Sequence, residues 1–296
     1  FKALILPYNK GMSRQEAAVI RKFVAAGGLL IADNDPATYS QHGRKLDKPE
    51  LADLFPATDQ NHVQTYGKGH AAYLPNVING YTDRLENDDN SGADIVAELL
   101  AKHAAQRPLI QLLDQNDKPR RDTLMRVFHN GETTLVGLLR AQTAAADHVA
   151  RTTVKLPAVR HIWDVRSQTY LGQTDTLRIN LDQQPRFLAL LPDDPGTIRL
   201  QAGTAVVPGA TLTLCGRVGA EQPDGDTAMS HAIHVEVFTP DGKELEWHRR
   251  NVVFRGSAIS VDLPISLSAA PGRYRIVVEH AITGATSETT FDVIQK

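Results

Sequence analysis

The sequence predicts a multidomain protein of mixed α/β and all-β class: an open parallel sheet followed by two β-sandwiches, the last of them immunoglobulin-like. Three observations carry this. The segment from Phe1 to Asp35 reads as strand, amphipathic helix and strand. Helical periodicity stops near Pro108, and short apolar or alternating runs separated by turns replace it. The stretch from Ile198 onward has the length of one immunoglobulin-like module and no helix signal. The expected domains are residues 1–106, 107–196 and 197–296.

In the first domain, Ala3 to Leu6 and Leu29 to Ala32 are short apolar runs suited to buried strands, ended by Pro7 and by Asp33, Asn34, Asp35 and Pro36. Between them Ser13 is placed to cap a helix, with Glu16 returning the bond and Gly27 and Gly28 closing the far end. The helix is expected over Arg14 to Ala26, with Ala17, Val19, Ile20, Phe23 and Val24 on one stripe that packs on a sheet. A strand, crossover helix and strand of this length form a parallel pair with a right-handed connection. The loops after the two strands converge if the strands are neighbours, which makes Tyr8, Asn9, Asp33, Asn34 and Asp35 the candidate substrate- or subunit-facing residues. The plainer alternative is that Asp33 and Asn34 satisfy local backbone groups in a turn.

The rest of this domain reads as connectors and two further elements. Pro49 to Phe55 suits a short helix with Pro in its first turn. Val63 to Tyr66 and Ala71 to Leu74 form a hairpin around Gly67, Lys68 and Gly69; because Gly69 rather than Ser or Thr follows the lysine, this is not a phosphate loop. Ser91 with Asp94 is expected to start a helix running to about Ala105. The spacing Asp88, Asn90, Gly92, Asp94 resembles the opening of a calcium loop but fails at Ala93, where glycine is needed, and at Leu99, where a bidentate glutamate is needed.

Beyond Pro108 the strands are expected at Leu109–Leu113, Thr123–Phe128, Thr134–Leu139, Thr152–Leu156, Arg160–Val165, Leu177–Leu181 and Phe187–Leu191, with Asn130 and Gly131 as the clearest hairpin turn. Trp163, Tyr170 and Phe187 are expected to be core aromatics of this sandwich rather than a sugar platform. In the last domain strands are expected at Ala210–Val218, Ile233–Phe238, Val252–Phe254, Ile259–Leu263, Tyr274–Val278 and Thr289–Val293. Cys215 falls within the first of these and reads as a small buried hydrophobe.

Composition bounds the function. A net charge of -2 with both signs interspersed predicts no attraction to nucleic acid or to an anionic membrane. No apolar run approaches the roughly 20 residues that a spanning helix needs. The domains are expected to be soluble, in a bacterial cytoplasm or periplasm or exported, and one cysteine excludes an internal disulfide. The sequence opens at Phe1, on the edge of a buried strand, so a preceding segment is expected. No cofactor or metal is expected: His231 and His234 are the closest histidines, and three apart in a strand they point to opposite faces. Neither a nucleophile elbow nor a zinc-binding helix motif occurs, and no carboxyl pair is picked out by its surroundings as a glycosidase pair.

The run from Phe1 to Tyr8 and the run from Ser13 to Asp33 resemble the trimerisation domain of family 42-type bacterial β-galactosidases. Gly67 to Pro75 and Ile162 to Gly172 are similar to segments that trail the catalytic barrel in large bacterial glycoside hydrolases. The resemblance implies a flavodoxin-like, class I glutamine amidotransferase-like first domain, truncated at its N-terminus and without that family's chemistry, then β-sandwiches. It implies as partners an upstream catalytic barrel of the same polypeptide, further copies in a homo-oligomer, and carbohydrate. The two catalytic glutamates of such enzymes lie in that barrel, so none is carried onto this sequence. A free-standing carbohydrate- or protein-binding module and an enzyme on the α/β domain are the rival readings.

Overall fold

The computed structural model of the chain describes residues 1–56, 59–75, 77, 80–87, 89–141, 149–219 and 229–295. These residues form two compact units, one spanning residues 1–109 and the other residues 110–141 and 149–295.

The first unit contains β1 (Ala3–Leu6), β2 (Gly11–Met12), α1 (Arg14–Ala25), β3 (Leu29–Ala32), β4 (Tyr39–Ser40), β5 (His62–Tyr66), β6 (Gly69–Tyr73), α2 (Tyr81–Glu86) and α3 (Ser91–His103). Its main sheet has the order β1-β3-β6-β5; β1, β3 and β6 run parallel, and β5 closes the edge antiparallel to β6. All four residues of β3 are buried because both faces are covered. Ala17, Ile20 and Val24 of α1 share one core with Leu30, Ala32, Ala71, Leu51 and Leu54, while Leu99 and Ala104 pack with Leu29, Ile31 and Ala72 in the other.

The α1 boundary follows the sequence closely. The Ser13 hydroxyl accepts from the Glu16 N–H at 3.1 Å and the Glu16 carboxylate accepts from the Ser13 N–H at 2.8 Å, a complete capping box. Val19 is the exception on the expected stripe: it is 62% exposed, because positions 17, 20 and 24 already take the sheet-facing arc. At the helix end the expected hairpin β5–β6 supplies the missing donors. Lys68 N–H donates to the Ala25 carbonyl at 3.0 Å and His70 N–H to that of Gly28 at 3.2 Å. This close approach needs glycine at Gly69, where a Cβ would sit 2.2 Å from the Val24 carbonyl oxygen and 2.3 Å from that of Gly28.

One local expectation is corrected. Pro49 to Phe55 is a series of turns rather than a helix, with bonds such as Leu54 N–H to the Leu51 carbonyl at 2.9 Å; burial of Leu51, Leu54 and Phe55 in the core overrides the local propensity. α3 starts at Ser91, as expected; Asn90 takes the cap position without a side-chain capping bond, and the Asp89 carboxylate accepts the Ser91 N–H at 3.0 Å. Asp88 of the calcium-like spacing lies outside the described residues.

The second unit is built from strands. β7 (Gln111–Leu113), β8 (Thr123–Asn130), β9 (Thr133–Arg140), β10 (Ala150–Asp164), β11 (Thr169–Leu181) and β12 (Arg186–Leu191) come first. They belong to one sheet of order β11-β10-β12-β9-β8, with β7 also on β10. Two facing sheets were the expectation; a single curled sheet is what the ladder shows. The register of β10 and β11 breaks between Lys155 and Arg160, β7 pairs on one side of the break and β12 on the other, and the sheet bends so that Val154, Leu156, Ile162, Leu177 and Leu188 meet in one core.

The last part comprises β13 (Ile198–Ala202), β14 (Ala205–Val206), β15 (Thr211–Val218), β16 (Ser230–Phe238), a 3-10 turn at Glu246–His248, β17 (Arg250–Arg255), β18 (Ala258–Pro264), β19 (Gly272–His280) and β20 (Thr286–Val293). A three-stranded sheet, β13-β15-β18, faces a five-stranded one, β14-β20-β19-β16-β17, across a core that includes Leu214, Ile233, Val261, Ile276 and Phe291. Cys215 is exposed, contrary to expectation: Leu212 and Leu214 take the inward positions of β15, so strand alternation turns Cys215 outward. The two strand-built parts are joined within the unit. The Thr133 hydroxyl donates to the Ser230 carbonyl at 3.1 Å, Gly131 bridges Met229, and Gln168 Nε2 donates to Glu279 at 2.6 Å.

Candidate functional site

The carboxyl ends of β1 and β3 lie side by side, and the five residues singled out from the sequence follow them directly. The Tyr8 N–H donates to Asp33 Oδ1 at 2.7 Å, and Asp33 has 0% exposure. One turn further out, the Asn9 carbonyl accepts from the Ala37 N–H at 2.9 Å and the Lys10 carbonyl from the Tyr39 N–H at 2.8 Å. β2 and β4 continue this tie as a short parallel pair. The two loops are thus one stitched structure rather than two free arms.

The stitching requires unusual backbone. Tyr8, Asn34, Asp35 and Ala37 have φ of 51°, 47°, 51° and 58°, the left-handed region that non-glycine residues visit at a cost of roughly 1–2 kcal/mol each. Such a concentration at strand ends is the kind of strain that packing must hold in place. The Tyr8 ring projects outward, 56% exposed, with Lys10 Nζ 4.7 Å from its centroid. Asn34 Nδ2 is buried with no hydrogen-bond partner among the described residues, Asp35 is exposed, and the Asp35 carbonyl accepts the Thr38 hydroxyl at 3.1 Å. Asp33 therefore holds the loops in shape, while Tyr8 and Asp35 are the members that present side chains to solvent.

Other polar groupings lie in the second unit, and the sequence alone did not reveal them. His231 is paired with His280 rather than with His234: Nδ1 of His231 is 3.0 Å from Nε2 of His280, and the Thr283 hydroxyl is 3.2 Å from the other ring nitrogen of His280. Burial lowers the pKa of each imidazole to about 4, so both are neutral at pH 7. His234, as expected, faces elsewhere and contacts Asn251 and Glu236. The two partners of this dyad are 49 residues apart, which leaves no local signal. Among the described residues no group of three His, Cys, Asp or Glu is placed to hold a metal ion.

Of the three aromatics expected in the core, Tyr170 and Phe187 are 42% and 43% exposed, whereas Trp163 is partly buried and packs against the cluster of Ala189, Leu191, Met229 and Ile282. The Trp163 and Tyr170 rings meet at a tilt with centroids 5.1 Å apart, and the Tyr170 hydroxyl is 3.0 Å from His161 Nδ1. Ile162 and Leu188, next to Trp163 and Phe187 in sequence, take the positions facing the main core of the curled sheet.

Neither a protein-family model nor a curated protein matches the sequence. Among solved structures, a GH42 β-galactosidase from G. stearothermophilus is similar over 64% of this chain and 32% of its own, at 16% identity and a TM-score of 0.42. β-Galactosidase from Bacillus circulans sp. alkalophilus is similar over 64% and 33%, at 11% identity and a TM-score of 0.44. The superoxide reductase of Ignicoccus hospitalis is similar over 34% of this chain and 80% of its own, at 12% identity and a TM-score of 0.23. The chain thus spans about a third of the length of the β-galactosidases it resembles. At these scores neither likeness establishes a shared fold. Among the described residues no helix is long and apolar enough to cross a membrane.

Proposed function

We propose that this chain is the non-catalytic C-terminal portion of a multidomain, β-galactosidase-like glycoside hydrolase, supporting oligomer assembly and the walls of an active site in a catalytic barrel. The supporting observation is that the runs resembling the trimerisation domain, Phe1 to Tyr8 and Ser13 to Asp33, coincide with one β-α-β unit, β1-α1-β3, whose strand ends carry the stitched loops. In this reading residues 1–106 are the trimerisation-type, glutamine amidotransferase-like domain, 107–196 a sandwich-like β domain and 197–296 an immunoglobulin-like module. Tyr8 and Asp35, with Asn9 and Asn34 beside them and Asp33 as their anchor, face either sugar or a neighbouring subunit.

The test is alanine substitution at Tyr8, Asn9, Asn34 and Asp35 in the complete polypeptide. A change in turnover or in oligomer mass with little change in melting temperature is expected. Unchanged kinetics together with unchanged mass for all four variants would remove this face from the account.

One observation favours a binding module as the second reading. Tyr170, Trp163 and His161 present a partly exposed cluster of rings on the curled sheet, a surface on which a sugar ring can stack. Retention of the chain on a glycan matrix, lost in Tyr170→Ala, would support it.

A further inference from the structure

The last β part holds a cleft of about 500 Å³ at one end of its two-sheet core, walled by Val237, Leu245, Ile265, Tyr274 and Phe291. This volume lies within the range of small-molecule sites, which combine apolar walls with a few placed polar groups. At its floor the Tyr274 and Phe291 rings stack with centroids 5.3 Å apart, and both residues are almost fully buried. Most polar groups around the cleft are already engaged. The Tyr274 hydroxyl donates to the Ala270 carbonyl at 3.0 Å, the Thr239 hydroxyl bonds the Lys243 backbone, and the Ser266 and Ser268 hydroxyls bond each other at 3.0 Å.

His248 is different. It is 2% exposed, it lines the cleft, and its Nε2 is buried with no hydrogen-bond partner among the described residues. A buried polar atom left unpaired costs stability, so its persistence calls for a reason. The indole of Trp247 lies tilted against the imidazole with centroids 3.7 Å apart, lines the same cleft and is itself 54% exposed, so it has room to move outward. Burial lowers the His248 pKa to about 4, which leaves a neutral ring at pH 7. A neutral imidazole nitrogen is a donor or an acceptor according to tautomer, and a hydroxyl can pair with either. A carboxylate pairs with only one and would carry its charge against the apolar walls, since the charged lining residues Asp241 and Lys243 are exposed and neither bonds the buried imidazole nitrogen.

We propose that this cleft binds a neutral compound with one flat apolar ring and one hydroxyl, of the phenol or aryl-alcohol class, the ring lying between the walls and the hydroxyl paired with His248 Nε2 once Trp247 has swung aside. Polyhydroxylated rings fit poorly, because the walls would leave most of their hydroxyls unpaired. The site stands independently of the proposal made above for the whole chain.

The test titrates the full chain with para-fluorophenol, fluorobenzene and para-fluorobenzoate, followed by fluorine NMR. Saturable binding of the phenol is expected, about tenfold tighter than fluorobenzene for one net hydrogen bond, with no binding of the benzoate. The chain has two tryptophans, so in Trp163→Phe the emission of Trp247 alone should shift on adding the phenol. His248→Phe should erase the preference for phenol over fluorobenzene. Equal affinity for phenol and fluorobenzene, or no saturable phenol binding by the unaltered chain, overturns the proposal whether or not the His248 variant folds.

Discussion

The Tyr8 amide and the Asp33 carboxylate, 2.7 Å apart, join the ends of two parallel neighbouring strands. Asp33 is fully buried, and removing its side chain takes from the Tyr8 N–H its acceptor. Asp33→Ala is expected to lower stability by about 1–3 kcal/mol, measured by urea unfolding. Asp35→Gly, which relieves a left-handed backbone, should leave stability unchanged or raise it by up to about 1 kcal/mol. If Asp33→Ala unfolds at the same urea concentration as the natural chain, the tie is not structural.

Gly69 is the second point where the α/β unit depends on one residue. A side chain there meets the Val24 and Gly28 carbonyl oxygens, both backbone atoms, so the hairpin must lift from the end of α1. Gly69→Ala is expected to cost roughly 3 kcal/mol or more, whereas Gly43→Ala, with φ of 76° and open space around it, should cost about 1 kcal/mol. Equal melting temperatures for the two variants would contradict the packing described.

The His231–His280 dyad makes stability depend on pH in a defined window. Each imidazole has a folded pKa of about 4, below its ordinary value of 6.5, so the unfolded chain binds more protons between these limits. Stability is then full above pH 6.5 and is lost as pH falls toward 4, by roughly 3 kcal/mol for each imidazole kept neutral. Melting curves from pH 7 to 4.5 should show this decline, to which His248, also lowered to about 4, adds, and His231→Phe should make it shallower. An unchanged slope in that variant would assign the acid sensitivity elsewhere.

Asp122 offers an opposite case near the start of β8. Burial pushes its carboxyl up, but the Arg140 and Arg120 guanidinium groups, at 2.9 Å, prevail and hold it below the ordinary value. Arg140 is only 6% exposed, so Asp122→Ala takes one carboxylate partner from a buried cation and is expected to cost about 1–3 kcal/mol. Since the carboxyl is depressed, this contribution is present at neutral pH and disappears as pH falls through its folded pKa. A cost under about 1 kcal/mol would place the pair among ordinary surface bridges.

Much of the α/β unit was legible because its signals are local. Ser13 and Glu16 are three apart, Gly67 to Gly69 form one turn, and α1 starts and stops within one residue of where its caps place it. What was not legible depended on which face of a strand would be covered. Tyr170 and Phe187 read as core by size, yet both are exposed and the core of the curled sheet takes Leu188 from the position next to Phe187, while Trp163 does pack against a smaller buried cluster on the other face from Ile162. Cys215 failed in the same way, one residue from Leu214. His231 and His280, or His248 beneath Trp247, become a pair or a cleft wall only through the sheet, so no spacing in the sequence announces them.

The most direct measurement is the intact mass of the native polypeptide that carries this sequence, captured from its source cells with an antibody to residues 1–40 and read by top-down mass spectrometry. The account predicts a mass well above the 32.4 kDa of this chain, with a barrel-forming sequence preceding Phe1 and glycosidase activity in the captured protein. A mature polypeptide that starts at or near Phe1, or a long one whose preceding sequence forms no barrel and cleaves no glycoside, would contradict it.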